Sequence, residues 1–163
     1  MKISFVRIDD RLIHGQVATV WVKTYACNRI MCVSDEVAQD ELRKQLVLQV
    51  APPGLKAYIV PVQKAIEAFN NPKYDSFETF FLFTNPTDVL RMVEAGIPFD
   101  SINLGGMRYV EGKTQISPAV SVNQQDVDSL KKLAEKGVKL EMRQLVKDAK
   151  MDVIERLKSM NLL

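Results

Sequence analysis

One histidine, two cysteines, one tryptophan and almost no net charge leave few residues to carry chemistry, and each shortage excludes something. Lys plus Arg number 22 against 20 Asp plus Glu, a formal charge of +2, so no broad field draws nucleic acid or anionic lipid. Any anion must be recognised by local charge. No apolar run nears the ~18 residues of a membrane span, and Met1-Lys2-Ile3-Ser4-Phe5-Val6-Arg7 meets charge too soon for a secretory signal. The expectation is a cytoplasmic chain, at most peripheral to a membrane. Cys27 and Cys32 lack a second cysteine pair, and His14 lies too far upstream to complete a zinc-ligand spacing, so reduced thiols and no metal are expected. Neither Gly-x-x-x-x-Gly-Lys nor Gly-x-Gly-x-x-Gly occurs, and no bound cofactor is expected.

What is present is an ordinary core-forming composition: 163 residues, 47% hydrophobic, with no repeat and no linker, which reads as one domain over 1–163. Short β-rich runs alternate with amphipathic stretches, the pattern of an open, mainly parallel sheet with helices on both faces, a three-layer αβα sandwich. The strands expected are Ile3–Ile8, Arg29–Ser34, Lys56–Val60, Thr79–Phe83, Ser101–Leu104 and Val138–Arg143, with Val120–Val122 as a short addition. Helices are expected from His14 to Tyr25 on a stripe of Val17, Val20, Trp21 and Tyr25, and from Asp40 on a stripe of Leu42, Leu46 and Val50. Others follow Pro61, open at Thr84-Asn85-Pro86-Thr87, start at a capping box in Asn123-Gln124-Gln125-Asp126, and run from Asp148 to Met160.

The sole histidine lies in Arg7-Ile8-Asp9-Asp10-Arg11-Leu12-Ile13-His14-Gly15-Gln16-Val17. If Ile3–Ile8 is the first strand, this loop occupies the carboxyl edge of the sheet, where ligands of open α/β folds bind. Neutral imidazole is a nucleophile toward phosphorus. Arg11 can fork onto phosphate oxygens, Arg7 can add a second cation, and Gly15 lets the backbone approach a bound group at a helix start. Asp9 suits an orienting role, holding an arginine or one imidazole nitrogen. On this local pattern, a helix-start histidine beside a solvated ion-pair cluster is an equal reading. Leu12 and Ile13 could seat a partner or pack inward, and Met107-Arg108-Tyr109 could form a second rim. Gly105-Gly106 reads as a tight turn, or as a source of backbone donors.

The same motif resembles the active-site signature of the IIB component of the bacterial phosphoenolpyruvate-dependent sugar phosphotransferase system, mannose/fructose/sorbose class. The likeness continues through Val33-Ser34-Asp35, Ala51-Pro52-Pro53-Gly54, Phe83-Thr84-Asn85-Pro86, Asn103-Leu104-Gly105-Gly106-Met107, Ser121-Val122 and Gly137-Val138-Lys139-Leu140-Glu141. After Gln144-Leu145 the chain reads Val146-Lys147-Asp148, where relatives often carry a Pro-Ser-Asp-like turn. The resemblance implies a phosphotransferase in which His14 accepts a phosphoryl group from a phosphohistidine of a IIA partner, through Nδ1. His14 then passes it to sugar at the membrane IIC/IID components, with Arg11 steadying the group. Two other classes compete: a nucleotide- or flavin-binding module on the same topology, and a regulatory domain whose histidine is phosphorylated only as a signal.

Overall fold

Strand β1 (Lys2–Asp9) alternates as a two-sided strand should, sending Val6 and Ile8 to one face and Phe5, Arg7 and Asp9 to the other. In the computed structural model, which describes residues 1–163, β1 is the middle strand of seven. The others are β2 (Arg29–Val33), β3 (Lys56–Val60), β4 (Glu78–Phe83), β5 (Ser101–Gly106), β8 (Lys139–Met142) and β9 (Met151–Asp152), in the order β3-β2-β4-β1-β5-β8-β9. All neighbours are parallel except β8 and β9. A separate hairpin, β6 (Thr114–Ser117) with β7 (Val120–Val122), is tied to the end of β5 by the bonds Met107 N–H to Ala119 C=O and Ser121 N–H to Met107 C=O.

Helices cover both faces, as the αβα expectation required. On one face lie α1 (a wide π turn, Val17–Trp21, continued as α-helix over Val22–Thr24), α2 (Asp35–Gln39) and α3 (Glu41–Leu48). On the other lie α4 (Val62–Phe69), α5 (Pro86–Glu94), α6 (Gln124–Glu135) and α7 (Val153–Ser159). From β1 the chain crosses the first face to reach β2 and β3; from β4 it crosses the second face to reach β5. The winding reverses beside β1, which makes its carboxyl end a natural crevice.

Local signals placed the helix starts well: Asn85 accepts from Asp88 N–H ahead of Pro86, and Asn123 with Asp126 forms the reciprocal capping box. Four expectations need correction. Val20 points to solvent, because the extra residue in the π turn keeps Val17, Ala18 and Trp21 inside and rotates Val20 off the buried stripe. Leu42 and Leu46 are 70% and 55% exposed, and Val50 is exposed too, because α3 buries Val47 against the sheet and turns the fourfold stripe outward. The last helix starts at Val153, not Asp148: Asp152 caps it, and Met151–Asp152 pairs with β8. Gly105 and Gly106 continue β5 as buried strand and make no turn.

Truncating an exposed stripe residue removes little buried area, whereas emptying a core position leaves a cavity. Leu46→Ala is expected to change unfolding free energy by under ~0.5 kcal/mol, and Leu130→Ala to cost about 2–5 kcal/mol, in urea denaturation. A larger loss at Leu46 than at Leu130 would mean that α3 is packed the other way round.

Candidate active site

At the carboxyl end of β1 the chain folds back sharply after Asp9. Leu12 N–H donates to Asp9 C=O at 2.8 Å, and Leu12 sits at φ +58°, a left-handed conformation that side chains other than glycine rarely adopt. Its side chain and that of Ile13 are buried, so both anchor the loop inward and neither forms a partner seat. Asp10 fastens the outer side of the turn. Its N–H donates to Gly106 C=O (2.9 Å), its Oδ2 accepts from Arg108 N–H (2.8 Å), and its C=O accepts from Arg43 Nη2 (3.0 Å). Gly106 thus supplies an acceptor to this loop.

Within that frame, His14 Nε2 lies 2.7 Å from Asp9 Oδ2, with the imidazole side chain 15% exposed and Asp9 fully buried. A carboxylate only accepts, so Nε2 carries the proton, and the neutral tautomer that fits this contact has its lone pair on Nδ1. Asp9 also accepts from Arg7 Nη2 (3.0 Å) and from Arg11 N–H (3.2 Å). Burial by itself would raise the Asp9 carboxyl; the His14 hydrogen bond, the Arg7 charge and the Arg11 amide outweigh it and hold Asp9 below the ordinary carboxylate range. The Arg11 side chain meets Asp9 only through Nε, at 3.5 Å from Oδ1, and is 58% exposed, so its guanidinium edge is turned to solvent.

Arg7 corrects an expectation. It has no exposed surface: Nη1 donates to Asn103 Oδ1 (2.6 Å) and Arg143 C=O (3.2 Å), and Nη2 to Asp9 and Gln144 C=O (3.3 Å). Both Nη groups are engaged inside the protein, and complete burial takes the guanidinium out of reach of an external phosphate. Gly15 stands at the helix start, where Ala18 N–H already bonds His14 C=O (2.9 Å). The first-turn amides from Gly15 to Val17 have no acceptor within the helix. A Cβ at Gly15 would meet no atom within 4 Å, so the fold itself does not demand glycine there.

Asn103, Trp21, Glu141 and Arg143 gather behind Asp9, and reasoning along the sequence gave them no place in the site. Contacts such as Arg7 to Asn103 span 96 positions, and no local spacing announces them. No group of three or more His, Cys, Asp or Glu side chains is placed to hold a metal ion. The well-formed surface hollows lie elsewhere. One of about 210 Å³ is lined by Met31, Tyr58 and Phe77, and another of about 680 Å³ by Leu140, Met151 and Ile154. Neither hollow is lined by His14, whose side chain is 15% exposed. No helix is long and apolar enough to cross a membrane.

Comparison with known proteins agrees with this geometry. The family described as "PTS system sorbose subfamily IIB component" matches residues 3–162. The mannose-specific EIIAB component of Escherichia coli (strain K12) is 52% identical over 155 residues, 95% of this chain. This chain spans about half the length of that relative, 48%. The fructose-specific EIIB component of Bacillus subtilis (strain 168) is 47% identical and 98% of each chain is covered. Among solved structures, the IIBSor domain of the sorbose permease from Klebsiella pneumoniae superposes with a TM-score of 0.95 at 43% identity, covering 98% of both chains.

The buried Asp9 gives this site a pH signature. Its folded-state carboxyl is held low, so in acid the unfolded chain binds the extra proton; the stabilisation is complete above the ordinary carboxylate pKa of ~3.9 and is lost as pH falls through the folded value. Asp9→Asn is expected to cost about 3–5 kcal/mol near neutrality, because Arg7 is left buried without its anion. The same variant should flatten the acid-side decline when urea unfolding is followed from about pH 7 to pH 2. Equal stability of variant and parent at neutral pH would show that Asp9 is not the anion that balances Arg7.

Proposed function

The chain belongs to the sorbose-subfamily IIB components of the phosphotransferase system, and we propose that it is the phosphoryl carrier between a IIA partner and the sugar handled by IIC/IID membrane components. The observation that carries this reading is the 2.7 Å pairing of His14 Nε2 with Asp9. It leaves Nδ1 as the nucleophilic atom on a partly open surface, with one edge of Arg11 free beside it. Nδ1 attacks the phosphorus of the donor phosphohistidine: the new P–N bond forms as the old one breaks, and the donor imidazole leaves with its electron pair. A sugar hydroxyl then takes the same phosphoryl group from Nδ1, its proton passing to the released imidazole or to solvent.

Such transfers run through loose, extended transition states in which little covalent chemistry falls to the protein, so alignment and charge stabilisation carry the rate. Arg11 offers a planar fork to the equatorial oxygens. The first-turn amides at Gly15 and beyond add donors at the positive end of a helix. Asp9 supports the charge that develops on the imidazole as Nδ1 is phosphorylated, since its carboxylate stays paired with Nε2–H throughout. Relatives named for mannose, fructose and sorbose share this chain's residues at 43–52% identity. Sugar choice on this reading resides in the membrane components. The chain works on the cytoplasmic side of the membrane, meeting IIA and IIC/IID in turn.

Incubation with a phosphorylated IIA partner is expected to label the wild type with an acid-labile, base-stable adduct, and to leave His14→Gln unlabelled. Undiminished labelling of that variant would remove His14 from the reaction, and failure of the labelled protein to discharge in the presence of IIC/IID membranes and sugar would favour a signalling role. Arg11→Lys is expected to slow transfer at least about tenfold, near 1.4 kcal/mol of barrier, with unfolding unchanged. Gly15→Ala tests close approach: the added methyl has room in the free protein, so melting should not move while transfer slows. Wild-type transfer by Gly15→Ala would show that no incoming group comes near this backbone.

A further inference from the structure

The paired glycines of β5 are explained neither by a turn nor by phosphate binding. Arg7 leans across β5 so closely that a Cβ on Gly105 would fall within its guanidinium, and a Cβ on Gly106 would stand 3.1 Å from Asp9 Oδ1. The Trp21 ring lies against the same guanidinium, 4.3 Å from Arg7 Cζ to the ring centroid. The Arg7 guanidinium is turned in place by Asn103, whose Nδ2 donates to Glu141 Oε1 at 3.0 Å. Because that carboxylate only accepts, the Asn103 amide must present its oxygen to Arg7 Nη1. Glu141 is itself held by Arg143 at 2.8 Å, and Arg143 Nη2 also donates to Tyr25 Oη at 2.9 Å.

We infer that Arg7, lodged over Gly105 and turned by Asn103, is the positioning residue of this centre: it fixes the Asp9 carboxylate so that Oδ2 takes Nε2–H of His14 and Nδ1 faces outward. Arg7 touches no reacting atom. Its positive charge is buried at the foot of the nucleophile, joined to it through one carboxylate and two hydrogen bonds, 3.0 Å and 2.7 Å long. Outer-shell partners of this kind, when removed from metal-bound histidines, cost 10–100-fold in function, and the geometric reason is the same here. Gly105 is then required by Arg7 and not by the backbone, since φ at Gly105 is not left-handed.

The inference rests on the reading of His14 as phosphoryl acceptor, and its test separates the two. The chain has one histidine, so a 15N-labelled, unphosphorylated sample gives one imidazole signal. In the wild type a sheltered Nε2 proton is expected, with Nδ1 unprotonated. Gly105→Ala adds a methyl where the guanidinium lies and must displace Arg7 without changing its charge. It is expected to lose the sheltered Nε2 proton signal to solvent exchange and to lower kcat for phosphoryl acceptance about 10–100-fold, with KM for the phosphorylated donor unchanged. Arg7→Lys in the Gly105→Ala background replaces the fork by a narrower cation and should recover part of the loss, a coupling that independent sites would not show. Asn103→Ser, which loosens Arg7 without adding bulk, serves if Gly105→Ala does not fold, and should give the same two signatures in weaker form. Retention of the Nε2 proton and of wild-type kcat in Gly105→Ala, or in Asn103→Ser where that is the folded variant, would overturn the positioning role. A disturbed imidazole signal in a protein whose wild type never accepts phosphate would overturn the phosphoryl-carrier reading alone.

Discussion

A carboxylate without any solvent exposure at the end of the middle strand is the constraint around which this structure is arranged. A buried ionised Asp9 is tolerated only because three donors reach it: Arg7 from beneath, the Arg11 amide from the turn and His14 from the helix start. Each of those donors imposes something. Arg7 requires a flat, side-chain-free strand surface; the Arg11 amide requires the chain to fold back at once, at the expense of a left-handed Leu12; His14 must turn Nε2 toward the carboxylate, which leaves Nδ1 outside that contact.

Aromatic packing lets so polar a group exist inside the fold. Phe5, Trp21 and Tyr25 stack in series on the face of β1 that also carries Arg7 and Asp9, with Phe5 and Tyr25 3.8 Å apart between centroids. Arg7 and Arg143 both lie over Trp21, at 4.3 and 5.2 Å from its centroid, so two guanidiniums are held against one indole in place of water. The π turn of α1 brings Trp21 to that position and sends Val20 outward in the process. Such wide turns are costly in regular helix and cluster at functional sites, and here the wide turn directly follows the histidine it supports.

The two faces of the sheet divide the labour. The face covered by α4 to α7 carries the larger apolar cluster and is built almost wholly from aliphatic and phenyl side chains. The face covered by α1 to α3 has the smaller cluster, and the polar network runs through it toward the carboxyl edge. The α1 to α3 face gives up some apolar area to house charge. A loop braced at Asp10 by Gly106, Arg108 and Arg43 joins the site to the end of β5 on one side and to α3 on the other, so His14 stands on fixed elements.

Much of this was legible in the residue order. Short β-rich runs named every parallel strand, Asn85 and Asn123 announced helix starts through side-chain caps, and a lone imidazole three residues after Arg11 marked the candidate loop, because these signals depend on near neighbours in the chain. Inward or outward direction was a different matter. The fourfold spacing of Leu42, Leu46 and Val50 has the same period whichever side meets the sheet, and only the docking of Val47 decided it. Arg7 and Arg11 are chemically alike and four positions apart, yet one is sealed under tryptophan and the other opens to solvent, a distinction made by strand pairing with Asn103 and by a glycine 98 residues away. Sequence by itself determined which groups could react and on which kind of fold. Tertiary structure decided which imidazole nitrogen meets Asp9 and which cation is exposed, because burial and hydrogen-bond partners arise only where distant strands meet.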